Sequence, residues 1–294
     1  MKKTLSLALA LTMALSLAAC GGDSSSASTP DASGSSSQAD ASTSAPAGSS
    51  STPEVVEDVA YVQDKGTLVV GITEFEPMDY QNTDGEWIGF DADMAKAFAE
   101  SLGVEVQFQV IDWDNKIMEL DGKTIDVVWN GMTLVDEVTS AMSCSNPYCN
   151  NYQVVVMPAD VAADYPDAAS MSELNFAVES GSAGEEQAEL NGFTSTPVLD
   201  QATAVLEVES GTADAAIIDS LMADAMVGEG TSYEDLTYTI SLNEEEGEQY
   251  GVGFRKGSDL VEKLNQFFVD SYADGTMMEL AETYGVQAAI IPQE

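Results

Sequence analysis

From Gly66 to Gly285, short runs of β-branched and apolar residues alternate with amphipathic stretches, the pattern required by a sheet with crossover helices. Gly66-Thr-Leu-Val-Val-Gly-Ile72 reads as a buried strand bounded by glycine. The spacing of Met94, Ala95, Phe98 and Leu102 predicts a helix capped by Asp91 and ended by Gly103. Val104, Val106, Phe108 and Val110 alternate as one face of a strand. Asp114 is expected to cap a short helix ending at Gly122, with the next strand over 124–129. Further strands are expected over 175–178, 213–218 and 250–254. Between them Ser182-Ala-Gly-Glu185 matches a capping box, and a helix over 200–209 stops at Gly211. Ser258 is expected to cap a long helix with Leu260, Leu264, Phe267 and Phe268 inward, and Thr276 opens a last one. Sheets of this kind place ligand-binding loops at the carboxyl ends of their strands.

The N-terminus sets the compartment. Lys2 and Lys3 precede an apolar run over 5–17 that is too short to span a bilayer, so it reads as a cleaved signal peptide. Leu17-Ala-Ala-Cys20 resembles a bacterial lipobox, which makes residues 1–20 a lipoprotein signal and Cys20 the lipidated first residue of the mature protein. At about 0.8 kcal/mol per buried methylene, several acyl chains give a lasting membrane anchor. Residues 21–57 are dominated by Ser, Ala, Thr, Gly, Asp and Pro, a composition that cannot offset its ordering entropy, and are expected to be a disordered tether.

The formal charge of −42 makes nucleic acid and anionic surfaces poor partners, since they would be repelled. The absence of histidine excludes His-based triads, His general bases and His metal ligands. No metal motif, phosphate loop, nucleophile elbow or basic patch stands out, so no cofactor and no metal are expected. Cys144 and Cys149 are an even pair in an exported chain, available for a disulfide.

Read in order, several landmarks resemble the family 3 extracellular solute-binding proteins. They are Gly66-Thr-Leu-Val-Val-Gly71, Pro77-Met78, Gly89-Phe-Asp-Ala-Asp93, Leu102-Gly103, Trp113, Gly131-Met-Thr133, Ser145-Asn-Pro-Tyr148, Gly181-Ser182, Asp214 through Asp219, and Asp274-Gly275. The resemblance implies an α/β fold, a two-lobed, type II periplasmic-binding-protein-like clam-shell with a central mixed sheet in each lobe. Lobe 1 would comprise 58–152 and 250–294, and lobe 2 residues 153–249. The lobes would be joined by crossovers near 150–154 and 247–252 and would close by hinge motion.

The same resemblance implies roles for single residues. Phe75 and Trp113 would be ring walls against the ligand side chain. Gly131 and Thr133 would offer a carbonyl and a hydroxyl to an ammonium, and Asp219 would pair with it. Ser182 and Ala183 begin a helix whose free N–H groups favour a carboxylate. Glu74 flanks Phe75 and adds negative charge. Capping the following helix is the alternative role for Asp219. One position departs: where the family carries an Arg that clamps the ligand carboxylate, this chain has Val138, and its only Arg is Arg255. Lys116 as a replacement cation, a cationic ligand without a carboxylate, and a loop reshaped by the two cysteines all stay open.

The expected function is the extracytoplasmic substrate-binding component of an ABC importer, a lipid-anchored monomer that captures a small amino acid-like solute for a membrane permease and ATPase. The alternatives are a binder of a cationic non-amino-acid solute such as a polyamine, and a sensory binding module. Enzymatic dehydration, known on related folds, would need the clamp that Val138 lacks, so no catalytic residue is expected.

Overall fold

A computed structural model describes residues 56–243 and 247–294. The signal peptide, Cys20 and nearly all of the expected tether lie outside the described residues. Val56, the first described residue, bridges to Ser258.

Among the described residues, thirteen strands form three sheets. The first sheet contains β1 (Thr67–Ile72), β4 (Glu105–Val110), β5 (Val127–Thr133), β6 (Ser143–Cys144), β7 (Cys149–Asn151) and β13 (Glu248–Phe254). The second contains β8 (Gln153–Pro158), β9 (Asn175–Glu179), β10 (Thr194–Val198), β11 (Ala215–Asp219) and β12 (Leu236–Ser241). A small hairpin pairs β2 (Tyr80–Gln81) with β3 (Trp87–Ile88). The orders are β4-β1-β5-β13-β6, with β7 also on β13, and β10-β9-β11-β8-β12. In the first sheet β13 alone runs against the other five strands, and in the second β8 alone runs against the other four, so both are mixed. The chain passes from one sheet to the other between Asn151 and Gln153, and returns between Ser241 and Glu248.

The central strands are buried on both faces because helices cover both, which is why they read as unbroken apolar runs. Ala215–Asp219 is buried throughout, and Leu68, Val70 and Ile72 are fully enclosed. Each such aliphatic side chain contributes about 1.5–3 kcal/mol by leaving water. The helix Phe90–Leu102 presents Met94, Ala95, Phe98 and Ala99 to this core, and Gly103 closes it in a left-handed turn. Arg255 is buried with Asp58, which accepts from Nε and Nη2 at 2.9–3.1 Å, while Nη1 donates to the Leu120 and Ile125 carbonyls. The only guanidinium is thereby spent on tying the helix Asp58–Lys65 to β13.

Four local expectations change. The helix expected to be capped by Asp91 starts at Phe90 with Gly89 as its cap; a Cβ at Gly89 would lie 2.2 Å from the Met78 carbonyl oxygen, so only glycine fits. Asp114 caps nothing, because a 3₁₀ turn over Trp113–Asn115 precedes the helix Lys116–Asp121. Val110 is half-exposed because β4 is an edge strand. The pair Cys144 and Cys149 is not a disulfide: both thiols are free. Cys144 sits opposite Gly253 and Cys149 opposite Tyr250, three residues apart on β13. That spacing is about 10 Å along a strand, beyond the span a disulfide can bridge.

No helix among the described residues is long and apolar enough to cross a membrane. Two thiols should titrate when the unreduced protein is denatured, in addition to any at Cys20, and its mass should not change on reduction. A gain of 2 Da on reduction would show a disulfide instead.

Candidate functional site

The carboxyl end of β5 forms one wall of a cleft between the two sheets. Opposite it, β13 slips register between Gly251 and Gly253, which leaves residues 129–131 outside the ladder. Gly131 has φ +56°, and a Cβ there would meet the Phe75 ring at 2.5 Å. Its amide donates to Asp91 Oδ2 at 2.7 Å, and Tyr148 donates to the same oxygen at 2.6 Å. Asp91 is therefore a strut beneath the cleft. Burial pushes its carboxyl up to about 7, against those hydrogen bonds. Asn130 is equally committed: its Oδ1 accepts from the Thr73 amide and hydroxyl, and its Nδ2 donates to Thr73 O and Asp79 Oδ2.

The opposing wall is the end of β9 and the start of the helix Ala183–Asn191. Ser182 caps that helix by accepting from Glu185 N at 3.2 Å. The Glu185 carboxylate reaches Gly181 N at 2.7 Å rather than Ser182 N, so the expected reciprocal box is displaced by one residue. The Ala183 amide has no acceptor among the described residues. Gly181 has φ +71°, and a Cβ there would lie 2.8 Å from the Asp114 Cα, so the walls touch at this point.

Lys116 crosses the same gap. Its ammonium donates to Gly181 O at 2.9 Å and Trp113 O at 3.3 Å and lies 5.1 Å from the centre of the Trp113 ring. An ammonium has three donors, so one is left. Lys116 is 3% exposed and forms no ion pair among the described residues. Burial lowers its pKa, and the more distant carboxylates of Glu137, Glu179, Asp114 and Glu185 oppose the fall.

Asp219 ends β11 at the N-cap position of the helix Ser220–Met226, yet its side chain makes no capping bond. Ser220 N is satisfied by Tyr152 O and Asn151 Oδ1 instead. The Asp219 carboxylate accepts from the amides of Asn151, Gln153 and Gln201, that of Gln153 at 2.7 Å. Glu248 stands behind it, accepting from Gln153 at 2.9 Å and from the Thr133 hydroxyl at 3.2 Å. Burial, then Glu248, pushes the Asp219 carboxyl up to about 7 despite the amides. Glu179, at the end of β9, is buried with Oε1 unbonded, and burial pushes its carboxyl up to about 8.

Trp113, Lys116, Gly131, Thr133, Val138, Ser182, Ala183 and Asp219 all line one cavity. Its free space is only about 30 Å³, room for roughly two water molecules, so the walls are nearly shut. The profile of the bacterial extracellular solute-binding proteins, family 3, matches residues 68–287. The chain belongs to that family.

Its relatives share the architecture at modest identity. The L-cystine-binding protein TcyJ of Escherichia coli K12 is 28% identical over 227 residues, covering 76% of this chain and 84% of TcyJ. The arginine-binding extracellular protein ArtP of Bacillus subtilis is 27% identical over 228 residues, covering 75% and 86%. A crystal structure of an ABC uptake transporter substrate-binding protein from Streptococcus pneumoniae with bound histidine superposes with a TM-score of 0.72. It is 29% identical and covers 79% of this chain and 98% of that one. The fold is the type II solute-binding clam-shell.

Two residues named from the sequence stand apart from the cavity. Phe75 is 1% exposed and packs edge-on against Tyr250, behind Gly131. Glu74 accepts from Gln81 N at the hairpin. Conversely, Glu179, Gln201, Gln153, Asn151 and Glu248 surround the cleft without having been singled out. Only Glu248 carried a readable signal, as an acidic residue where a crossover was expected.

The carboxyls of Asp219 and Glu179 have folded pKa values raised above their unfolded values of about 4. Their contribution to stability is full below about pH 4 and is lost as the pH rises through about 7 to 8. Ligand-free protein should therefore melt at a lower temperature at pH 8 than at pH 5.5. A melting temperature that rises over this interval would contradict the burial of these groups.

Proposed function

We propose that this family member is the extracytoplasmic substrate-binding component of an ABC importer and that it captures an amino acid between its two sheets. The observation that carries the reading is the pair of charges lining one cavity without ion partners. Lys116 keeps a free donor beside the Ala183 amide at a helix start, and Asp219 lies in a separate cluster with Thr133 and Glu248. An amino acid zwitterion supplies the complement to both: its carboxylate meets Lys116 and Ala183, and its ammonium meets Asp219. A charge-assisted hydrogen bond contributes about 1.5–3 kcal/mol, so Lys116 can replace the guanidinium clamp that Val138 does not provide. The cystine, arginine and histidine named for the relatives are all amino acids, which supports the same class.

The remaining parts of the reading follow the sequence. The mature protein is anchored through lipidated Cys20 on a tether ending near Glu57. Residues 58–152 and 250–294 form one lobe and 153–249 the other, and the protein works as a monomer beside its permease. No catalytic role is assigned to the cavity residues: the raised carboxyls serve ligand charge.

Thermal melting against all amino acids, polyamines and small carboxylates tests this. A ligand at 100 times its dissociation constant adds about 2.7 kcal/mol to stability. Stabilisation by an amino acid supports the proposal, and stabilisation by amines alone favours the polyamine reading suggested by the two cavity carboxylates. Trp113→Ala and Asp219→Ala should each weaken amino acid binding by about tenfold or more. Lys116→Met should weaken an amino acid roughly 10- to 100-fold while changing the affinity of its decarboxylated amine far less. Equal losses for both would remove Lys116 as the carboxylate anchor.

A further inference from the structure

Glu179 has no role in the zwitterion pose, although it lines the cavity from the last position of β9 at 2% exposure. Its Oε1 is fully enclosed and accepts no hydrogen bond. Most donors of the polar groups around it are already used. The Thr73 hydroxyl donates to Asn130 Oδ1, and both donors of Asn130 go to Thr73 O and Asp79. Gln201 donates to Asp219 and accepts from the Asp219 amide, which uses its oxygen and one of its two amide hydrogens. Lys116 is the only cation lining the cavity and does not come within ion-pair distance of Glu179. A buried carboxylate oxygen without a donor is costly, and a ligand in the cleft can supply one to Glu179 Oε1.

Charge counting gives the class of that group. Lys116 offsets a ligand carboxylate and Asp219 a ligand ammonium, which leaves Glu179 without a counter-charge when it ionises. We infer that Glu179 is the side-chain specificity residue of the cleft and selects amino acids that carry a second, cationic group. This inference rests on the amino acid reading above. The groups facing Glu179 from the packed elements are Asp219, Asp200 and Lys116, with the Thr73 hydroxyl beside it. The two aspartates and burial favour the protonated form of Glu179, so a cation that binds there displaces a proton into solvent.

Calorimetry on the full-length protein in detergent, with L-lysine and L-arginine against their neutral counterparts L-norleucine and L-citrulline, tests the inference. The cationic amino acids should bind roughly 10- to 100-fold more tightly, and Glu179→Gln should bring the ratio to near unity. Titration near pH 7 in buffers of different ionisation enthalpy should show about one more proton released with L-lysine than with L-norleucine. This second readout uses only the unmodified protein, so it holds even if the variant folds poorly. An unchanged ratio in Glu179→Gln, equal proton release, or a wild-type preference for the neutral amino acids overturns the role of Glu179 and leaves the amino acid reading intact. Binding of diamines with no amino acid binding at all overturns both.

Discussion

Ionised groups buried in a protein interior are stable only when partners replace the water they lose, and the cleft holds three that do not pair with one another. Lys116, Asp219 and Glu179 come from the Lys116–Asp121 helix, β11 and β9, and none has an ion partner among the described residues. Elsewhere some buried charges are paired, while Asp79 and Asp91 are buried with hydrogen-bond donors but no ion partner among the described residues. Arg255 is satisfied by Asp58 and two carbonyls, and Lys65 by Asp126. What sets Lys116, Asp219 and Glu179 apart is that all three line one cavity, which is why the proposed function assigns them to a ligand. Raised carboxyls and a lowered lysine are the electrostatic record of that unfinished pairing.

The scaffold behind these groups is stiff where they need it to be. Asp219 is held by three amides, Gly131 by Asp91, which Tyr148 holds in turn, and Asn130 by four hydrogen bonds of its own. The contacts that join the two walls are fewer: the Lys116 bond to Gly181 O and the approach of Gly181 to Asp114. With room for only about two water molecules inside, a solute can enter only if these contacts part. A rigid site on each wall with a sparse seam between them is the arrangement hinge closure requires. Closing on a zwitterion would give Lys116 a counter-ion and exchange two water-sized volumes for ligand atoms.

Periodicity and punctuation made most of the fold legible. β1, β9 and the helices Phe90–Leu102, Gln201–Glu209 and Leu260–Asp274 follow from apolar spacing and from Gly103, Asp200 and Gly275 at their ends. Caps were less legible, because a carboxylate at a helix start can turn inward. Asp91 leaves its helix for Gly131 N, and Asp219 leaves Ser220 N to Asn151. The disulfide failed for a similar reason: spacing in sequence does not reveal that both cysteines lie along one strand, facing partners three residues apart. Glu179 was invisible because a single acidic residue ending a strand looks like a surface residue until its neighbours are counted. Lys116 stood out only because Val138 removed the expected guanidinium.

The central claim is that an amino acid bridges Lys116 and Asp219. A crystal structure of the protein with its tightest-binding amino acid tests it most directly. The account predicts the ligand carboxylate within hydrogen-bond distance of Lys116 Nζ and the Ala183 amide, and its α-ammonium on Asp219. A ligand whose carboxylate points away from Lys116, or that binds outside this cleft, would contradict it.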